Sequence, residues 1–191
     1  MHEKNTYLRC LDIGNCYGTG NQITEEYSGI GICRIEEQND MMNKVRVGII
    51  RLREQNYSCS QATLLGICKA IGSSLPEQQI MALSAGFRGG IGRSYNEGTC
   101  GALSAGILAL GMYLPDENEK TIALAKELFD HFKQENGTVI CGNIVQQHGF
   151  SRCTGCCLCI GNKVAELLQR EKAQTGTVRM FRQDDLNNKQ Y

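Results

Sequence analysis

Thr99-Cys100-Gly101-Ala102-Leu103-Ser104-Ala105-Gly106-Ile107-Leu108-Ala109-Leu110-Gly111-Met112-Tyr113-Leu114 is the stretch on which the fold turns. It carries no charged side chain, yet it is shorter than the ~20 apolar residues that span a bilayer. An uncharged apolar helix of this length belongs in a protein core, so the stretch predicts a buried central helix from Cys100 to Met112, with Thr99 as its N-cap. Gly101, Ala102, Ser104, Ala105, Gly106 and Ala109 are small and let neighbouring backbones come close. The same property is compatible with packing in a homodimer.

Further helices are expected on either side. From Asn43, Val45, Ile49 and Leu52 recur at helical spacing. Tyr57-Ser58 interrupts, and Ser58-Cys59-Ser60-Gln61 has the form of a capping box, with Gln61 at the third helical position. The helix it opens sets Ala62, Leu65, Cys68 and Ile71 to one side and ends near Gly72. Pro76 suits the first turn of a helix reaching Ala85. Gly86-Phe87-Arg88-Gly89-Gly90-Ile91-Gly92-Arg93 is a glycine-rich loop. After Pro115-Asp116, Ile122, Ala125, Leu128, Phe129 and Phe132 form the apolar stripe of a helix from about Glu117 to Gln134, ended by Gly137. A short helix is expected after Cys141, and a last one from Cys159 to about Lys172, with Val164, Leu167 and Leu168 inward. No strand pair, repeat or second domain is evident. The expectation is an all-α, single multihelical bundle over residues 41–173, with an irregular extension at 1–40 and a polar tail at 174–191. Met41-Met42 stands as an alternative start of the chain.

Composition narrows the function. Twenty basic residues balance twenty acidic ones, so no nucleic-acid partner is expected. The opening Met1-His2-Glu3-Lys4-Asn5 lacks the apolar core of a signal peptide, and the expectation is a cytoplasmic protein without a membrane partner. No paired carboxylates, general base or hydrolase triad stands out. Glu36-Glu37 and Asp184-Asp185 read as solvated charge, and enzymatic activity is left open.

Eleven cysteines dominate the chemistry. An odd number cannot pair completely, and a chain of this length without a secretory signal does not need disulfide staples. In a reducing compartment such usage points to metal or redox chemistry. Cys59 and Cys100 are each expected at the first position of a helix. Unpaired N–H groups and a partial positive charge there stabilise a thiolate. The glycine-rich loop lacks the Gly-Lys-Ser/Thr ending of a P-loop. Its glycines, Gly89 and Gly90 among them, would let N–H groups point at sulfur, and Arg88 and Arg93 would supply compensating charge. Cys153, Cys156, Cys157 and Cys159 crowd together, the first two in a C-x-x-C pair. Cysteine, not histidine, follows Cys156, so c-type haem attachment is absent. Cys68 reads as core. His131 and His148 read as surface side chains, and no mechanism suggests itself for Cys10, Cys16 and Cys33.

In order, Tyr57-Ser58-Cys59-Ser60-Gln61-Ala62, the loop Gly86 to Arg93, Thr99-Cys100-Gly101-Ala102, Cys141, and Cys159 with Val164-Ala165 behind it resemble the redox-active C-GCAxxG-C-C family, over about Asn43 to Leu168. That family is similar to split-Soret cytochromes in their non-haem part. The resemblance implies a metal-ligand set of Cys59, Cys100, Cys141 and Cys159, with Cys153 and Cys156 as alternates for the last. Four thiolates are the usual complement of an iron–sulfur cluster, and [2Fe–2S] is the candidate form. This sequence reads Cys-Gly-Ala where the family name has Gly-Cys-Ala.

Three readings follow. The first is an electron-transfer module with an iron–sulfur cluster and an unidentified redox partner. The second is a metal-free thiol–disulfide protein or sensor, cycling Cys153 with Cys156 or Cys59 with Cys100. The third is a structural zinc protein.

Overall fold

The computed structural model describes residues 29–175, with side chains from 40 to 174. Seven helices make up this region: α1 (Gly29–Glu54), α2 (Cys59–Ala70), α3 (Glu77–Ala85), α4 (Gly101–Tyr113), α5 (Asn118–Asn136), α6 (Cys141–His148) and α7 (Arg152–Thr175). Among the described residues the fold is all-α, and the sole β feature is an isolated antiparallel bridge between Thr99 and Ile140. No helix among these residues is long and apolar enough to cross a membrane. Cys10, Cys16, His2, Asp184 and Asp185 lie outside the described residues.

The packing follows from the uncharged stretch. α4 lies between α2, α5 and α7, with Ala102, Leu103, Ala105, Ala109 and Leu110 fully buried. Ser104, Ile107, Leu108, Gly111 and Met112 remain half-buried, so one stripe of the helix is not covered. The small residues act as expected. A Cβ on Gly106 would lie 2.4 Å from Ile160 Cγ2 of α7 and 3.0 Å from Leu128 Cδ2 of α5. α1 packs on α2 and α7 by the same device, around Ile49. A Cβ at Gly66 would lie 2.6 Å from Ile49 Cγ1, and one at Gly161 2.5 Å from Ile49 Cδ1.

Several boundaries differ from the sequence reading. α1 begins at Gly29, well before Asn43, because the Arg, Glu and Gln of residues 34–38 favour helix without building an apolar period. α7 begins at Arg152 rather than Cys159. Cys, Thr and Gly are poor helix formers, but Cys156, Cys157 and Ile160 are buried in the core, and that burial overrides propensity. Cys100 is the N-cap of α4, not its first helical residue, and Pro76 is likewise the N-cap of α3. Of the expected apolar stripe of α5, Leu128 and Phe132 are fully buried, but Ile122 is 62% exposed and Leu124 is buried in its place. Ser58 does close a capping box with Gln61, and Gly137 ends α5 in the left-handed region.

α5 and α7 are also joined by charge. Glu127 accepts hydrogen bonds from Arg170 at 2.8 and 3.1 Å and pairs with Lys163 at 3.0 Å. Arg170 first, then Lys163, hold its carboxyl down at about 2.

Two outcomes are expected. Gly66→Ala gains about 1 kcal/mol of helix propensity, but its Cβ meets the Ile49 backbone N at 3.1 Å and Cα at 3.3 Å. The net effect should be a loss of about 1–2 kcal/mol, read as a lowered urea midpoint. Gly86→Ala, whose Cβ meets nothing within 4 Å, is the neutral control. A Gly66→Ala midpoint at or above the parent's would contradict this packing. Because the Glu127 carboxyl is lowered from 4.5 to about 2, its stabilisation is present above pH 4.5 and is lost as pH falls toward 2. The pair is about 40% exposed, so the effect is screened to about 0.5 kcal/mol. Glu127→Gln should flatten the acid limb of stability in that window and leave its shape above it unchanged.

Candidate functional site

Three helix starts bring cysteines together. Ser58 caps α2, so Cys59 is its first residue. Cys100 caps α4, and Cys141 is the first residue of α6. The Thr99–Ile140 bridge stitches the last two side by side. Cys100 N donates to Val139 O at 2.8 Å, and Cys141 N to Gly98 O at 2.9 Å. The bridge was not legible as a strand pair, because one residue on each side gives no period to read.

The glycine-rich loop closes over this point. Gly89, Gly90, Gly92, Arg93 and Tyr95 all have positive φ, which winds the loop tightly enough for Gly92 N to donate to Gly86 O at 2.7 Å and Tyr95 N to Gly89 O at 3.0 Å. Such angles are ordinary for glycine and unusual for Arg93 and Tyr95. The Gly89 N–H donates to the Cys59 sulfur. At Gly90 a Cβ would lie 2.7 Å from Gly98 O and 2.9 Å from Cys141 Cβ. At Gly101 it would lie 2.4 Å from Phe87 O and 3.0 Å from Cys59 Sγ. The loop is thus shaped by close approach of backbone to thiols.

The first turns of α7 complete the cluster. Cys141 feels the charges of Cys100, Cys59 and Cys153, Cys153 feels those of Cys59 and Cys100, and Cys59 feels that of Cys100. The Cys156 thiol donates to Asn136 Oδ1 at 3.6 Å and is close enough to Cys100 to feel its charge. Cys157 donates to the Cys59 carbonyl at 3.5 Å and is fully buried. The Cys159 sulfur lies 3.7 Å from His131 Nε2 of α5. Cys68 is buried in the core, and burial alone pushes its thiol up to about 12. His148 is exposed at the end of α6.

The electrostatics single out one sulfur. Cys100 is lowered to about 7, first by the thiol hydrogen bond from Cys156 and then by the N–H groups of Ala102 and Leu103, which outweigh its burial. Its neighbours move the other way. Burial, then the charges of Cys100, Cys59 and Cys153, push Cys141 up to about 12. Burial, then Cys59 and Cys100, push Cys153 up to about 11. Cys59 is raised by burial and by Cys100, against the pull of the Gly89 N–H, Arg53 and the Ser60 N–H. Cys156 is raised, first by its interaction with Cys100 and then by burial.

The cations felt by these thiols are Arg53 and Arg152, which the sequence reading did not single out. Arg53, near the end of α1, donates to Tyr57 O at 2.5 Å and to Thr154 Oγ1 at 3.4 Å. Arg152 donates to Asn136 Oδ1 through Nε at 3.2 Å and Nη2 at 3.1 Å. Neither stands next to a cysteine motif that would have marked it, except that Arg152 directly precedes Cys153. Arg88 and Arg93 are exposed.

Among the described residues, no group of three or more His, Cys, Asp or Glu side chains is arranged to hold a single metal ion.

No curated protein and no solved structure matches the chain significantly. A family model does, over residues 57–170, which is more than half of the chain; its description is "Putative redox-active protein (C_GCAxxG_C_C)". The matched stretch runs from the residue before the Ser58 cap to the Arg170 that clasps α5, and so contains every cysteine of the cluster. The chain belongs to the C_GCAxxG_C_C family of redox-active proteins.

Proposed function

We propose that this is an electron-transfer protein in which Cys59, Cys100, Cys141 and Cys153 bind an iron–sulfur cluster. The observation that carries the reading is that these four thiols, three of them at helix starts, lie within one another's electrostatic reach. Four cysteine thiolates are the donor set such clusters use. A polynuclear centre holds its thiolates apart with bridging sulfide, so it does not require three donors around one point. When bound, the cluster would supply reversible one-electron transfer to a redox partner.

The protein's own contribution is charge compensation. The N–H groups of Gly89 and Ser60 point at Cys59, and those of Ala102 and Leu103 at Cys100. Arg53 adds a positive charge felt by Cys59 and Cys153. Hydrogen bonds to sulfur, net charge and burial are the levers that set a cluster's potential. Cys153 takes the fourth place in this reading because it lies within electrostatic reach of the other three.

Anaerobically purified protein should carry iron and acid-labile sulfide in matching amounts, with broad visible absorption. Cys59→Ala, Cys100→Ala, Cys141→Ala and Cys153→Ala should each lose most of the iron, while Cys159→Ala and Cys68→Ala retain it, with helicity by circular dichroism unchanged. Full iron in both Cys59→Ala and Cys100→Ala would end the reading. Loss of iron in Cys159→Ala, with retention in Cys153→Ala, would move the fourth ligand to Cys159.

A further inference from the structure

The surface over the cysteines combines exposed apolar side chains with arginine. Gly89 and Gly90 are adjacent and face opposite ways. A Cβ at Gly90 would lie 2.9 Å from Cys141 Cβ, whereas one at Gly89 would lie 3.0 Å from Tyr95 Cζ. The Tyr95 ring therefore sits on the outside of a single layer of backbone whose inside touches a site cysteine. Phe150, in the turn between α6 and α7, meets that ring edge-on, with centroids 6.4 Å apart. Phe150 is nevertheless 66% exposed, and Ile91 of the same loop is 56% exposed. Covering such groups with a partner is favourable. The loop also holds Arg93 and Tyr95 at φ 66° and 33°, a region costly for any residue with a side chain. Gly89, Gly90 and Gly92 meet the same demand without that cost, so the two side chains are kept against the local backbone preference.

Charge says what kind of partner fits. Residues 86–99 and 142–152 carry Arg88, Arg93, Arg152 and Glu97, with no lysine and no aspartate, in a chain whose charges balance overall. Arginine and aromatic residues are enriched in protein interfaces, and lysine is depleted. Arg88 and Arg93 are exposed, and neither pairs with a carboxylate among the described residues. A second basic strip, the α1–α2 groove with Lys44, Arg51 and Lys69, is largely compensated: Lys44 pairs with Asp40 at 2.5 Å and Lys69 with Glu77 at 2.6 Å.

We infer that the glycine-loop face, with Ile91, Tyr95 and Phe150 flanked by Arg88 and Arg93, is the docking surface for an acidic electron-carrier protein. The apolar groups supply contact area, and the arginines attract the partner's carboxylates and orient the encounter. Docking here sets the partner one backbone layer from the cysteines. The partner's class rests on the electron-transfer reading of those cysteines.

Flavodoxin, an acidic protein that carries electrons on a flavin, serves as the probe. It is titrated into the full-length chain at low and at physiological ionic strength, and amide hydrogen exchange is mapped in the complex. A complex that weakens with salt is expected, with protection over residues 86–99 and 146–151. Arg88→Glu combined with Arg93→Glu should weaken it about tenfold. Phe150→Ala should weaken it about threefold without changing the salt dependence. Lys126→Glu, an exposed cation of α5, should leave it unchanged. The absence of a complex at low ionic strength would overturn the inference, as would full affinity in the double arginine variant or protection confined to the α1–α2 groove. Equal binding of a short DNA duplex would mark a general polyanion patch and overturn it too. Iron is assayed on the same sample. A chain that loads iron but fails these tests loses the docking surface alone, and one that docks flavodoxin here without ever loading iron keeps the surface and loses the cluster.

Discussion

Thiols buried within reach of one another cannot all ionise. Each charge taken out of water is costly, and each like charge nearby adds to the cost. In this protein Cys59, Cys100, Cys141, Cys153, Cys156 and Cys157 share such a region. The structure resolves the conflict by favouring one anion: Cys100 is lowered while the others rise. Much of the architecture serves that asymmetry. The Thr99–Ile140 bridge fixes where α4 begins, the start of α4 aims two N–H groups at the Cys100 sulfur, and Asn136 at the end of α5 accepts from the Cys156 thiol. A positively charged partner, or a metal centre, relieves the same repulsion by different means.

What the sequence made legible was the local chemistry of helix starts. Ser58 and Gln61 are a short-range signal, and they placed Cys59 correctly because a capping box is decided within four residues. The uncharged stretch placed α4, since nothing but a core accepts such a helix. Gly137 marked the end of α5 for an equally local reason. Where the reading failed, the deciding interaction was distant. The start of α7 is helical because Cys156 and Cys157 are buried, and no propensity records that. Ile122 fits an apolar stripe on paper, but the packing of α5 against α4 and α7 turns Leu124 inward with Leu128 and Phe132 and leaves Ile122 outside.

The site was legible to a similar depth. That Cys59, Cys100 and Cys141 matter could be argued from helix starts and from family resemblance. Which of the cysteines at 153, 156, 157 and 159 faces them could not, because the answer depends on how far α7 extends toward its N-terminus. Once α7 begins at Arg152, its first turns carry Cys157 to the Cys59 carbonyl of α2, Cys156 to Asn136 of α5 and Cys159 to His131. Arg53 and Asn136 were invisible for a related reason. Each acts across more than a dozen residues of chain, Arg53 on Thr154 and Asn136 on Arg152 and Cys156.

The distribution of glycine completes the argument. In α2, α4 and α7, glycine answers a packing demand, where a Cβ at Gly66, Gly106 or Gly161 would strike a side chain of the facing helix. Near the site it answers a chemical one. At Gly101 the obstacles would be the Phe87 carbonyl and the Cys59 sulfur, and at Gly90 the Gly98 carbonyl and Cys141. A side chain at either position would hold the loop away from the thiols and remove the Gly89 N–H from Cys59. Burial would then raise that thiol with one fewer donor to offset it. Glycine therefore does two separate jobs in this chain. The first lets helices approach closely enough to form a core, and the second lets backbone amides approach closely enough to tune sulfur. Helix packing and thiol chemistry meet at Gly101, which opens α4 and lies against Cys59.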